Sequence, residues 1–158
     1  MPGPLSMTRK SRKTNKPLTG EPMQPQSKTF ALALKLLKAR DRFESEVRGT
    51  LTAASSPTSE IDEAISALRA LGFLNDERLA TRTAERLSSQ KLWPRERIRI
   101  HLERLGAPTE DAMAGLPDDR EVALRLAKKS RKQGLALARR LSSTGFDEET
   151  VRAILESE

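Results

Sequence analysis

An apolar pattern repeats along this chain without a gap, and a repeat of that kind restricts the fold more than any single motif does. Displacing the sequence by 51 residues, and then by a further 39, brings matching residue types together. Ala33 falls on Ala84 and Ala123, Leu36 on Leu87 and Leu126, and Val47 on Ile98 and Leu137. Leu51 falls on Leu102 and Leu141, Ile61 on Ala112 and Val151, and Ile65 on Leu116 and Leu155. Within each copy the positions pair at spacings of three or four, which is one face of a helix. Each copy therefore reads as three short amphipathic helices. A unit of about 39 residues cannot bury its own apolar face, so neighbouring copies must stack. The pattern predicts an all-α protein: three tandem three-helix units stacked into an elongated, curved array. The units span about 30–68, 81–119 and 120–158, with the twelve additional residues 69–80 as a connector.

Local signals agree with that period. Ala, Leu, Arg, Glu and Lys dominate, β-branched residues are sparse and no alternating run suggests a strand. Nine helices are predicted, at about 29–40, 43–53, 59–71, 76–91, 94–105, 109–115, 118–131, 134–143 and 147–156. Asp76, Thr109, Asp118 and Asp147 suit N-caps, and Pro94 suits a first helical position. Gly72, Gly106 and Gly145 fall where helices should stop in a left-handed residue.

The charge is unevenly placed. The chain of 158 residues has a net charge of +7. Residues 1–28 hold Arg9, Lys10, Arg12, Lys13, Lys16 and Lys28 against Glu21 alone, which leaves only +2 for the remainder. That segment is rich in Pro, Ser and Thr and is expected to be a disordered basic tail, able to act as a phosphate-seeking arm or simply as a solvated terminus. The helical domain occupies 29–158. The absence of cysteine excludes disulfides and thiolate metal sites and fits a reducing compartment. The longest apolar stretch, Phe30–Leu34, is far too short to span a membrane, and the basic tail lacks the apolar segment of a secretory signal. A cytoplasmic protein, monomeric and without membrane attachment, is expected.

No group of residues suggests catalysis, so the expectation is a protein that is not an enzyme and carries no cofactor or metal. His101 is the only histidine, and it lies beside the apolar stripe of its helix, with no cysteine or second histidine to complete a metal site or an acid–base pair. Glu110, Asp111, Asp118, Asp119 and Glu121 complement helix N-termini better than they hold a cation. The glycines are scattered rather than gathered into a phosphate loop. Binding surfaces are better represented. On the helix starting at Pro94, the apolar stripe leaves Arg97, Ile100 and Arg104 on one face and Arg95 and Arg99 on the opposite flank. Ile100 between two arginines suits either a small interface centre or packing against a neighbouring unit. Lys128, Lys129, Arg131 and Lys132 form a second cluster, favourable at a helix C-terminus and suited to acidic or phosphate partners. Trp93 precedes Pro94 and suits an apolar staple at the helix start. The competing reading is a basic DNA-binding protein of the helix-turn-helix type, acting as a transcription or nucleoid factor. Against it, no one helix concentrates Arg, Asn and Gln for base edges.

Four segments resemble the RecX family of RecA regulators. The strongest is Leu71-Gly72-Phe73-Leu74-Asn75-Asp76-Glu77-Arg78-Leu79-Ala80, similar to a family segment in which a glycine precedes an aromatic residue, an aliphatic one and an Asn/Asp–Asp pair. Ala33-Leu34-Lys35-Leu36-Leu37 with Arg40 resembles the family's opening helix. Ile98-Arg99, Leu102 and Leu105-Gly106 resemble its second-unit helix, and Leu141-Ser142-Ser143-Thr144-Gly145-Phe146 its closing segment. The resemblance covers about 29–158. It implies a protein that lies along the RecA nucleoprotein filament and modulates, most often inhibits, its recombinase and coprotease activity in DNA repair and the SOS response. It also implies possible direct contact with single- or double-stranded DNA. One departure is local: the family commonly has glycines before the proline that opens the fifth helix, where this chain has Lys91-Leu92-Trp93-Pro94. That turn must be built differently.

Overall fold

A computed structural model of the chain describes residues 27–158, and among them the chain is helical with no strand. The helices are α1 (Lys28–Ala39), α2 (Glu44–Ala53), α3 (Thr58–Ala70), α4 (Asp76–Ser89), α5 (Arg95–Arg104), α6 (Glu110–Ala114), α7 (Asp119–Ser130), α8 (Gly134–Thr144) and α9 (Glu148–Glu156). They pack in successive groups of three, with the first helix of each group against the third: α1 on α3, α4 on α6, α7 on α9. Each group encloses its own apolar core. Phe30, Ala33, Val47, Leu51, Ile65 and Leu68 fill the first; Ala84, Leu87, Ile98, Leu102 and Ala112 the second; Ala123, Leu126, Leu137, Leu141 and Ile154 the third. Four of the repeat columns are buried in all three copies. The other two reach the edge of the core: Leu36 is half-buried because α1 turns Leu37 inward instead, and Leu155 is half-buried near the end of α9.

Of the segment 1–28 expected to be a basic tail, Ser27 caps α1, accepting from the Phe30 amide, and Lys28 is its first residue. The rest of that segment lies outside the described residues. Residues 69–80 are not a separate linker: Arg69 and Ala70 complete α3, Leu71–Asn75 turn the chain, and Asp76–Ala80 open α4. Asp119, counted at the end of the second unit in the sequence, is the first residue of α7.

What joins the groups is repeated as faithfully as the cores. The loop between the first and second helices of a group sends an apolar side chain into the core of the next group. Phe43 lies with Ala84, Leu87 and Ile98, and Leu92 lies with Val122, Leu126 and Leu141. Both are nearly fully buried, 3% and 5% exposed, so each ties two units together with the area of a core residue. The second contact is polar. The amide of Glu44, first residue of α2, donates to Asp76 Oδ1 at 2.9 Å, and the amide of Arg95, first residue of α5, donates to Asp119 Oδ1 at 2.9 Å. Helix N-termini carry amides without an intrahelical partner, and here the following unit supplies the acceptor. Asp76 is therefore not the cap of its own helix; Asn75 is, accepting from the Arg78 amide at 3.0 Å. Asp118 and Asp147 cap α7 and α9 with their side chains, whereas Thr109 holds the N-cap position of α6 without a side-chain bond. Pro94 is the N-cap of α5, one residue before the position its ring suits best.

The third contact is a close approach. Gly106 and Gly145, 39 residues apart, end α5 and α8 with φ of 70° and 118°. A Cβ on Gly145 would meet Pro94 Cγ at 3.3 Å and Arg97 Cδ at 3.5 Å, and one on Gly106 would meet Ser45 at 3.4 Å. The left-handed turn favours glycine at both positions, and at Gly145 the close approach of Pro94 adds to it, whereas at Gly106 a Cβ would make only an ordinary contact with Ser45. At the first junction an ionic cluster is added. Arg48 and Arg69 both bind the Glu44 carboxylate, and Arg48 also binds Asp62 at 2.8 Å. Burial opposes ionisation of Glu44, but the two arginines outweigh it and hold its pKa below the ordinary value of 4.5.

The turn at Lys91–Pro94 also resolves the departure from the family pattern. Leu92 takes φ of 57°, the conformation a glycine would adopt, and its side chain is anchored in the third core. For a residue with a Cβ that conformation costs about 1 kcal/mol or more, and burial of the leucine outweighs it. Two predictions follow from these junctions. At a helical core site such as Leu137, glycine should be about 1 kcal/mol worse than alanine. At Leu92 the order should reverse, Leu92→Gly unfolding at higher urea than Leu92→Ala; an order like that of Leu137 would contradict the strained turn. Glu44→Gln should cost about 1 kcal/mol at pH 7. Because the Glu44 pKa is lowered on folding, its contribution is present above pH 4.5 and is lost as the pH falls through the folded value, so the two proteins should converge in stability toward pH 3.

Candidate functional site

Helix α5 and the end of α8 enclose a surface groove of about 450 Å³. Its construction starts at Trp93, which the buried Pro94 and the turn at Leu92 hold over the first turns of α5. The Arg97 guanidinium carbon sits 3.8 Å from the Trp93 ring centroid, and the His101 ring meets Trp93 edge-on, with centroids 5.6 Å apart at 83°. Cation–π stacking and the edge contact both suit the ring's quadrupole. Arg97 also donates through Nη1 to the Thr144 carbonyl at 2.7 Å, near the close approach of Gly145. That carbonyl is one of the groups left without a partner at a helix end. Ile100, 36% exposed, and Arg104 complete the wall beside them.

The sequence placed Arg97, Ile100 and Arg104 on one face, and the groove brings them together. Arg95 and Arg99 point elsewhere and have structural partners. Arg95 Nη1 donates to the Leu116 carbonyl at 2.8 Å, while Arg99 is clasped by Glu96 and Glu103 on its own helix. Those two carboxylates raise the Arg99 pKa. Lys128 and Lys129 lie in the last turn of α7, Arg131 is its left-handed C-cap residue and Lys132 follows. Lys128 and Lys132 edge a shallower groove of about 250 Å³ with Leu124, Leu137 and Ile154. Among the described residues no carboxylate lies within ion-pair distance of Arg97, Arg104 or this basic cluster.

Trp93 and His101 belong to the α5 surface although the sequence assigned them no binding role. Their signal was present: Trp93, Arg97 and His101 are spaced by four, so they stack along one side of a helix. Trp93 packs on Arg97 and His101 rather than serving only as a staple to the following apolar residue. Leu71 and Phe73 are exposed on the turn between α3 and α4, as is Leu135 at the start of α8. Among the described residues no cluster of three or more His, Asp or Glu is placed to hold a metal ion. No helix among them is long and apolar enough to cross a membrane.

The fold and its surface define a helical repeat protein with the architecture of regulatory RecX proteins. It superposes on the crystal structure of RecX from Lactobacillus salivarius with a TM-score of 0.69 and 22% identity, covering 82% of this chain and 94% of that one. A second crystal structure, of a regulatory protein RecX, gives a TM-score of 0.67 and 21% identity over 83% of this chain and 72% of that one. The regulatory protein RecX of Geobacillus kaustophilus is 31% identical over 142 residues, 81% of this chain. This chain spans about half, 53%, of the length of that relative. No family model matches the chain. The sequence likeness and the shared fold together relate the chain to regulatory RecX proteins.

Arg97 is predicted to be the main polar tie between the second and third units on this side. Arg97→Ala should lower stability by about 1–2 kcal/mol, from the lost stacking and the unpaired Thr144 carbonyl. It should also shift the emission of Trp93, the one tryptophan in the chain. Unchanged emission would mean that the guanidinium does not rest on the ring.

Proposed function

We propose that this chain regulates the RecA recombinase by binding along its nucleoprotein filament, and that the binding inhibits recombinase and coprotease activity in DNA repair. The likeness to regulatory RecX proteins carries this reading, since regulation of RecA is what the resemblance implies. The architecture supports it. Stacked three-helix units present their helices side by side, so many separate weak contacts can be made to an extended partner, and filament binding needs no deep pocket. Of the two basic clusters, Arg97, Arg104, Lys128, Lys129, Arg131 and Lys132 have no carboxylate within ion-pair distance, and these with Ile100 are the proposed contact residues. They suit acidic protein surface or DNA phosphate inside the filament. Arg95 and Arg99 support the array itself, and their part in contact is secondary. The protein acts in the cytoplasm, where RecA and its DNA are found.

The test is RecA's single-strand-dependent ATPase and strand exchange, with and without this protein. Both should fall as the protein approaches stoichiometry with RecA. Reversing charge in two sets, Arg97 with Arg104 and Lys128 with Lys129 and Lys132, should weaken filament binding and make the remaining binding less sensitive to salt. No effect on RecA at several-fold excess, with direct binding to duplex DNA instead, would replace this reading with a DNA-binding one.

A further inference from the structure

The groove beside α5 carries chemistry that its place in the repeat does not demand. The second helix occurs in every unit, and the repeat offsets set Arg97, Ile100 and Arg104 against Glu46, Gly49 and Ala53 in the first unit. In the third they correspond to Ala136, Arg139 and Ser143. The first unit thus builds an equivalent helix, with an equivalent approach to the next unit at Gly106, without either arginine or the isoleucine. These three side chains are a property of the middle unit's surface and not of the array.

Their arrangement selects a ligand. Two guanidinium groups flank an aliphatic side chain on one helix face, and the groove's one carboxylate, Glu96, is already taken by Arg99. Arg97 is held by Trp93 and by the Thr144 carbonyl, so part of the ordering cost of binding an anion is met before the ligand arrives. The planar fork of arginine suits a carboxylate or a phosphate. Two observations separate the sources. One Trp93 face is covered by Arg97 and the ring is half-buried against the second core, which leaves it a poor platform for a nucleobase to stack upon. Ile100 offers an aliphatic contact that a sugar–phosphate backbone does not use. We infer that the Arg97–Ile100–Arg104 groove is a docking site for an acidic protein segment in which an apolar side chain lies between carboxylates, the apolar residue seated on Ile100 and the carboxylates on the two arginines. This rests on the regulator reading only for where such a segment resides, and it concerns the groove's own affinity.

The experiment uses the full chain and no RecA. Trp93 emission is followed while three probes are added: a peptide of about twelve residues alternating glutamate pairs with leucine, the same peptide with serine for leucine, and an oligothymidylate of similar charge. The glutamate–leucine peptide should bind saturably and shift the emission. It should bind about tenfold less tightly to Arg104→Glu and to Ile100→Ser, both of which lie on the surface and should keep the helical circular dichroism of the parent. Equal binding of the serine peptide would remove the apolar part of the inference. Preference for the oligonucleotide, lost in the same two variants, would make the groove a nucleic-acid site and overturn it. So would glutamate–leucine binding that neither variant weakens. Inhibition of RecA without peptide binding would sink the groove assignment alone, and peptide binding without any effect on RecA would sink the regulator reading alone.

Discussion

The first amide of each unit's middle helix needs an acceptor from outside that helix, and how it is met organises this molecule. For α2 and α5 the acceptor is the carboxylate of the first residue of the next unit, Asp76 and Asp119. For α8 the counterpart amide, that of Gly134, is met at 3.3 Å by Glu158 from beyond the end of α9. In the first two cases a side chain at a helix start bonds across to a second helix start, so two N-terminal dipoles share one negative charge. The bond fixes the first helix of the following unit against the loop that precedes α2 or α5. Phe43 and Leu92 leave those same loops to enter the next core, so the polar bond and the apolar anchor act within a few residues of each other. Neither would specify the junction alone. The bond sets direction, and the anchor supplies burial energy.

This coupling explains which parts of the fold were legible in the sequence. Anything with a local period was legible: the core columns, the helix boundaries, and the glycine stops at Gly72, Gly106 and Gly145, which all take positive φ. Interactions between units were not. Asp76 has the composition of an N-cap and stands beside the true cap, Asn75, and only the folded chain shows that its side chain turns away from its own helix. Leu92 carried a negative signal, a leucine where a glycine is customary, and the sequence could say only that the turn differs. The compensation lies in the third core, thirty and more residues further along, at Val122 and Leu126. A local pattern cannot report a partner that distant.

The candidate site divides along the same line. That Arg97, Ile100 and Arg104 share a face follows from helical spacing alone. That Arg95 and Arg99 are committed to Leu116 and to Glu96 and Glu103 required the neighbours to be placed. Net charge alone does not single out a surface, since seven arginines of the described residues are held in ion pairs at helix flanks and junctions and the other cations are spread over the array. Exposed pairs of that kind add little stability individually. Their larger effect is to decide which arginines remain without a carboxylate.

The middle unit is where these constraints meet. Its second helix must take a carboxylate from the third unit at its start, approach Gly145 near its first turn, and still present a surface. Arg97 serves two of these demands at once. Its aliphatic stem packs against Gly145, its guanidinium closes the end of α8 through the Thr144 carbonyl, and the side chain lines the groove together with Trp93. The residue that joins the second and third units therefore also forms part of the surface a partner would touch. A ligand that engages Arg97 acts on a junction as well as on a surface, and its binding energy is linked to how the second and third units are held together.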